Sequence, residues 1–254
     1  MRSAHAAGID VVALTDHDSM AGLEDAGEMA AALGMNFVPG IEVSCRHDGV
    51  SIHLLAYWPD PSNDKIIAML GRTREARLDR AKEIVRRVGA DYPLAWDDVL
   101  AQSGGAATVG RPHIADALVE RGVFETRDAA FAQVLAGNSA YYVPHYAPEV
   151  LDAIRTFRAT GAVTVFAHPG ADGRGKVVHT SVIELMADAG LVGLEVEHRD
   201  HTEPQRDRLA RVAQRLGLVH TGASDYHGAG KVNRLGENVT SDAALRQLQD
   251  ARSN

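Results

Sequence analysis

Short apolar runs that end abruptly in polar residues recur along this chain, separated by stretches with helical spacing. Val11-Val12-Ala13-Leu14 reads as a short strand buried on both faces. Before it, Arg2 to Ala7 is helical with Gly8 as its stop; after it, Leu23, Ala26, Ala30 and Leu33 mark a helix over about 21–33, closed by Gly34. Two alternating runs, 36–44 and 50–57, flank Asp48-Gly49, the strongest short signal for a hairpin. With those two residues as the loop, Ser44 faces His53 and Glu42 lies diagonal to His53 on the same face.

Pro59 to Asp64 breaks this pattern. From 65 to about 148 the chain is charge-rich and helical without strand runs, and 72–87 reads as the solvated face of a long helix. Strand and helix then alternate: helix 148–160, strand 162–167, helix 180–189, strand 193–197, helix 203–216, strand 218–221 and a last helix over 241–249. The pattern predicts an α/β fold of βα units interrupted by a helical insert.

The polar residues after the strands carry the chemistry. His17, His168 and Asp225 each fall just past a predicted buried strand, where ligands and catalytic groups collect in α/β proteins. Asp225 and His227 stand two apart, so an extended backbone would point both to one side. Glu42, between Ile41 and Val43, is costly in a buried strand unless paired or bound to a cation. Asp18 or Ser19 would serve equally as the cap of the following helix. The convergence of His17, Glu42, His53, His168, Asp225 and His227 on one end of a sheet nonetheless points to metal. Nitrogen and carboxylate ligands without cysteine favour zinc, manganese or iron, and so mixed a set suits more than one ion and phosphoester hydrolysis.

In the insert, Gly110-Arg111-Pro112-His113 opens a helix, and Arg111 and His113 there are either anion-binding groups or a plain helix start. The aromatic run Tyr141 to Tyr146 either stacks a base or packs the insert.

Composition narrows the partners. A net charge of −8 argues against duplex DNA, yet leaves room for an anionic small substrate because bound cations can reverse the local sign. The single cysteine, Cys45, excludes an internal disulfide and suits a reducing cytoplasm; no apolar run reaches membrane-spanning length.

Leu14-Thr15-Asp16-His17-Asp18, Pro39-Gly40-Ile41-Glu42-Val43-Ser44, Gly110-Arg111-Pro112-His113, Ala167-His168-Pro169 and Gly222-Ala223-Ser224-Asp225-Tyr226-His227 resemble the PHP (polymerase and histidinol phosphatase) family. Within it, the chain is similar to bacterial nucleoside 3′,5′-bisphosphate phosphatases, some of which also trim short RNA from the 5′ end. The resemblance implies a distorted seven-stranded (βα) barrel built from 1–64 and 148–254, with the helical insert 65–147 as a substrate cap. It implies up to three divalent ions (Mn, Zn, Fe or Mg) on His17, Glu42, His53, His168, Asp225 and His227. Arg111, His113, His198 and Asp18 would complete the catalytic groups. The substrate would be a phosphorylated nucleotide or a short single-stranded RNA end; histidinol phosphate, or binding without turnover, are the alternatives.

The family's opening strand, with Asp-Leu-His-x-His and a following Ser-Asp-Gly, has no counterpart in this sequence. The expectation is therefore a barrel lacking its first strand, with fewer ions, impaired activity, an open edge beside Val11–Leu14 that a second copy could cover, and roughly 25–35 further residues upstream of Met1.

Overall fold

The computed structural model describes residues 1–104, 109–228 and 232–252. In chain order the elements are α1 (Arg2–Ala6), β1 (Val11–Leu14), α2 (Leu23–Ala32), β2 (Asn36–His47), β3 (Val50–Tyr57) and α3 (Asp64–Val88). Then come α4 (Trp96–Ser103), α5 (Arg111–Glu120), α6 (Arg127–Ala130), a π-helical turn Phe131–Leu135 and α7 (Val150–Arg158). The rest is β4 (Val163–Phe166), a 3₁₀ turn Asp172–Arg174, α8 (Thr180–Asp188), β5 (Gly193–Glu197), α9 (Glu203–Leu216), β6 (Val219–Gly222) and α10 (Asp242–Asp250).

The strands hydrogen-bond in sequence order, β1-β2-β3-β4-β5-β6, as one curled half-barrel. β1 with β2, β4 with β5 and β5 with β6 are parallel, whereas β3 runs antiparallel to both β2 and β4. Simple βα alternation therefore fails in the middle of the sheet. The cause is local: a two-residue loop can only join antiparallel strands. Asp48 at φ 45° and Gly49 at φ 78° both take the left-handed conformation that a twisted two-residue hairpin demands. That turn sets the register Ser44 opposite His53 and Glu42 opposite Leu55.

The chain divides into two compact units, Met1–Ala68 with Pro148–Asn254, and Met69–Ala147. In the first, α7 shows how a helix covers the sheet. Val150, Ala153, Ile154 and Phe157, at i, i+3, i+4 and i+7, are all fully buried, while Asp152 and Arg155 face out. α9 begins with Thr202, whose N–H donates to Gln205 Oε1 at 2.7 Å, has Pro204 in its first turn, and stops at Gly217 with φ 66°.

The second unit has its own core, with Ile84, Val85, Val88, Val99, Ile114, Leu118 and Val134 at its centre. The C-terminal half of α3 is thus not wholly a solvated face, since Ala81, Ile84, Val85 and Val88 are buried along one side. Tyr141 and Tyr146 pack this unit: the Tyr141 hydroxyl donates to Asp91 at 2.7 Å and the Arg72 guanidinium sits 3.7 Å from the centre of the Tyr146 ring. No helix among the described residues is long and apolar enough to cross a membrane.

Candidate metal centre

The polar end of β1 is held against β2 after the strand proper has finished. His17 and Glu42 form a parallel bridge, with the Glu42 N–H donating to the Asp16 carbonyl (3.1 Å) and the Asp18 N–H to the Glu42 carbonyl (2.9 Å). Asp18 is fully buried, and its carboxylate accepts the Ser44 N–H at 2.8 Å. The resemblance places Asp18 among the catalytic groups, and here its carboxylate also braces β2. Its φ of 54° belongs to a short list of left-handed non-glycine residues that also holds His168 (35°) and Asp225 (48°). Backbone strain of this sort, about 1–3 kcal/mol each, persists where surrounding contacts over-determine it and gathers at functional sites.

Glu42 is the hub. Its Oε1 lies 2.6 Å from His53 Nδ1 and 3.4 Å from His168 Nε2, and its Oε2 lies 3.8 Å from His17 Nδ1. The hairpin register delivers His53, β1 delivers His17, and the end of β4 delivers His168. Burial alone would raise the Glu42 carboxyl, but His17 and His53 beside it, with bonds from His168 and His53, hold it well below the usual range. His168 moves the other way: burial lowers its imidazole, against the pull of Glu42.

From Glu42 the side chains run round in a closed circuit. Ring centres are 4.8 Å apart for His17 and His53, 5.1 Å for His53 and His168, and 5.4 Å for His168 and His198. His198 Nε2 then lies 3.7 Å from Asp225 Oδ2, Asp225 Oδ1 lies 3.4 Å from His227 Nδ1, and the His227 ring returns to His17 at 6.3 Å. His17, Glu42, His53, His168, Asp225, His227 and His198 thus lie in one continuous cluster of neighbouring side chains. Asp225 and His227 do not meet through an extended backbone as their spacing suggested. The left-handed turn at Asp225 lets His227 Nδ1–H donate to the Asp225 carbonyl at 2.8 Å.

Hydrogen bonding sorts the histidines by what they can do. His227, with Nδ1–H on a carbonyl, keeps the Nε2 lone pair for a cation, the usual arrangement of a ligating imidazole. His198 accepts the Asp200 N–H at Nδ1 (3.0 Å), so its proton sits on Nε2. That Nε2, fully buried, has no hydrogen-bond partner among the described residues and faces the circuit as a donor. His201 spends both nitrogens on the main chain, Nδ1 on the Val196 carbonyl (2.8 Å) and Nε2 on the Gly170 N–H (3.0 Å), which removes it from the ligand set.

The residues fit divalent ions. Three imidazoles crowd one buried carboxylate, ligand atoms of His17, Glu42 and His53 lie within 4.8 Å of one another, and the donors are all nitrogen or oxygen.

Three groups at the site were not singled out from sequence. Glu195, buried in β5, accepts the His168 N–H at 2.6 Å; burial raises its carboxyl to about 8 against that bond. The signal was present, for Glu195 lies between Leu194 and Val196 much as Glu42 lies between Ile41 and Val43. His201 is the second. The third, Arg174, donates to Asp225 at 2.7 Å and pairs with Asp200; despite burial, Asp225 and Asp200 raise its guanidinium. It sits in a Gly-Arg-Gly loop that carries no pattern.

Arg111 and His113 belong to the helical unit. Arg111 Nη1 donates to the Leu135 carbonyl (2.9 Å), and His113 Nδ1 accepts the Gly110 N–H (3.1 Å), which leaves the His113 proton on Nε2. Burial lowers both groups from their ordinary values.

No family model matches the sequence. A 5′-3′ exoribonuclease of Haemophilus influenzae is 33% identical over 239 residues, 93% of this chain and 86% of that protein. A 3′,5′-nucleoside bisphosphate phosphatase of Chromobacterium violaceum is 31% identical over 229 residues, 88% of this chain and 79% of that protein. Among solved structures, a Bifidobacterium adolescentis protein described as a putative metal-dependent phosphoesterase superposes with a TM-score of 0.95 at 42% identity, covering 98% of this chain and 88% of its own.

Proposed function

The chain belongs to the PHP family of metal-dependent phosphoesterases, and within that family we propose that it removes phosphate from small phosphorylated nucleotides, chiefly nucleoside 3′,5′-bisphosphates, with short RNA 5′ ends as further substrates. The observation that carries this reading is the closed circuit of His17, His53, His168, His198, Asp225 and His227, with Glu42 bonded to the imidazoles of His53 and His168. The relatives named for bisphosphate hydrolysis and RNA trimming supply the substrate class.

Divalent ions held by His17, Glu42, His53, His168, Asp225 and His227 would supply Lewis-acid stabilisation of the phosphoryl group and ionise the attacking water. The chain's own groups do the rest. His198 Nε2–H, desolvated and fixed in its tautomer, donates to a phosphoryl oxygen as charge builds there. Glu195 and His201 act behind the site, on the His168 N–H and the Gly170 N–H, and hold the His168-Pro169-Gly170 corner in place. In the helical unit, the Arg111 fork and the His113 Nε2–H bind phosphate oxygens; lowered by burial, His113 is a neutral donor at pH 7.

The test is phosphate release from adenosine 3′,5′-bisphosphate and from histidinol phosphate by the full chain, stripped with chelator and reloaded with Mn²⁺. Metal-dependent release from the nucleotide at far higher kcat/KM supports the proposal; preference for histidinol phosphate contradicts it.

A further inference from the structure

The parallel strands β4, β5 and β6 send three loops to the same end of the sheet, and one side chain joins them. Arg174 closes the 3₁₀ turn after β4. Its Nε donates to Asp200 in the loop after β5, and its Nη2 donates at 2.7 Å to Oδ2 of Asp225 in the loop after β6. The turn is itself anchored. The Ala171 N–H donates to the His168 carbonyl (3.1 Å) and the Arg174 N–H to the Ala171 carbonyl (3.0 Å), while Asp172 accepts from Gln205 Nε2 at 2.8 Å in the first turn of α9.

Exposed ion pairs commonly contribute little. This one differs in what it touches. The Asp225 side chain is 10% exposed, and its two oxygens face different neighbours. Oδ1 lies 3.4 Å from His227 Nδ1, whereas Oδ2 lies 3.7 Å from His198 Nε2, the nitrogen that carries the proton. At 3.7 Å a carboxylate and a buried N–H are too far apart for a hydrogen bond, yet they still attract each other. With nothing holding Oδ2, a small rotation of the carboxylate would close that gap into a charge-assisted bond. The guanidinium supplies the hold, with Nη2 on Oδ2 and Nε on Asp200. Asp200 also gives its own N–H to His198 Nδ1 at 3.0 Å, so the residue that anchors the arginine fixes the tautomer of the imidazole as well. A planar fork can serve two carboxylates from adjacent edges in this way; an ammonium on a flexible stem has no such fixed geometry.

We propose that Arg174 is a positioning residue: by holding Asp225 Oδ2 it keeps that carboxylate off His198, which preserves the His198 Nε2–H for substrate and Oδ1 for a divalent ion beside His227. The proposal rests on the metal-centre reading above.

The test uses the full chain with ¹⁵N-labelled histidines. In the metal-stripped wild type the His198 ring, identified by the signal that His198→Gln removes, should carry its proton on Nε2 without the downfield shift of a bond to carboxylate. Arg174→Gln should move that proton downfield as Asp225 closes on it. It should also weaken Mn²⁺ binding about 10- to 100-fold in competition with a fluorescent chelator, the range for losing a group that orients a ligand. Asp200→Asn, which releases the other edge of the fork, should move the same proton in the same direction, and it keeps the proposal testable should Arg174→Gln fail to fold. Arg174→Lys should recover only part of the lost affinity. A His198 signal unmoved in both Arg174→Gln and Asp200→Asn overturns the proposal. So does tighter Mn²⁺ binding in Arg174→Gln, which would make the guanidinium a competitor of the ion, or full recovery in Arg174→Lys, which would make it a charge alone. A wild-type chain without Mn²⁺ affinity would sink the metal reading instead, and the His198 signal would still decide whether Arg174 holds Asp225.

Discussion

Replacing Glu42 by glutamine removes one charge and almost no volume from the hub of the metal centre. The side chain is 8% exposed, and three imidazole nitrogens stand 2.6, 3.4 and 3.8 Å from its oxygens. A unit charge pair at about 4 Å is worth roughly 4 kcal/mol at an effective dielectric near 20, and a divalent ion about doubles that figure. Desolvating the carboxylate and the ion offsets on the order of half of this gain. Some 4 kcal/mol net remains, or roughly a thousandfold in affinity. Competition of the full chain against a fluorescent chelator for Mn²⁺ or Zn²⁺ reads this directly, with circular-dichroism melts to show that the variant folds. Glu42→Gln that keeps wild-type metal affinity would refute the assignment of Glu42 as hub.

Three further outcomes follow from individual contacts. His198→Gln should lower kcat about 10- to 100-fold with bound metal retained, since it removes a donor to the phosphoryl group and no ligand; loss of metal with activity would make His198 a ligand instead. Glu195 keeps its proton in the folded state up to about pH 8 but loses it in the unfolded chain near the ordinary carboxylate value, so the native state binds the extra proton between the two. Stability of the metal-stripped chain should therefore fall as pH rises from about 4.5 to 8. Glu195→Gln should flatten that slope in thermal melts, and an unaltered slope would contradict it. Gly49→Ala meets no atom within 4 Å but sits at φ 78°, so it should cost about 1–2 kcal/mol through backbone strain alone; a variant that melts with wild type would place the hairpin turn elsewhere.

Which parts of this were legible in the sequence follows from how local each determinant is. The hairpin was legible because Asp48-Gly49 fixes both turn and register within four residues, and the register alone puts Glu42 beside His53. Strand ends were legible as apolar runs meeting polar residues, which placed His17, His168 and Asp225. The antiparallel pairing of β3 with β4 was not, because the whole helical unit separates them and periodicity says nothing about which strand lies alongside. Arg174 was hidden for another reason. Between two glycines of a loop, an arginine that bridges two aspartates has the same sequence surroundings as one that meets only water. Tyr141 and Tyr146 could have stacked on a ligand by composition, and only their contacts with Asp91 and Arg72 assign them to packing.

Anomalous diffraction from crystals of the full chain grown with Mn²⁺ tests the metal centre most directly. Manganese peaks should fall inside the circuit of side chains, with at least one in contact with Glu42 and flanked by His17, His53 or His168. Peaks confined to other acidic surfaces, with Glu42 still bonded only to its imidazoles, would contradict the account.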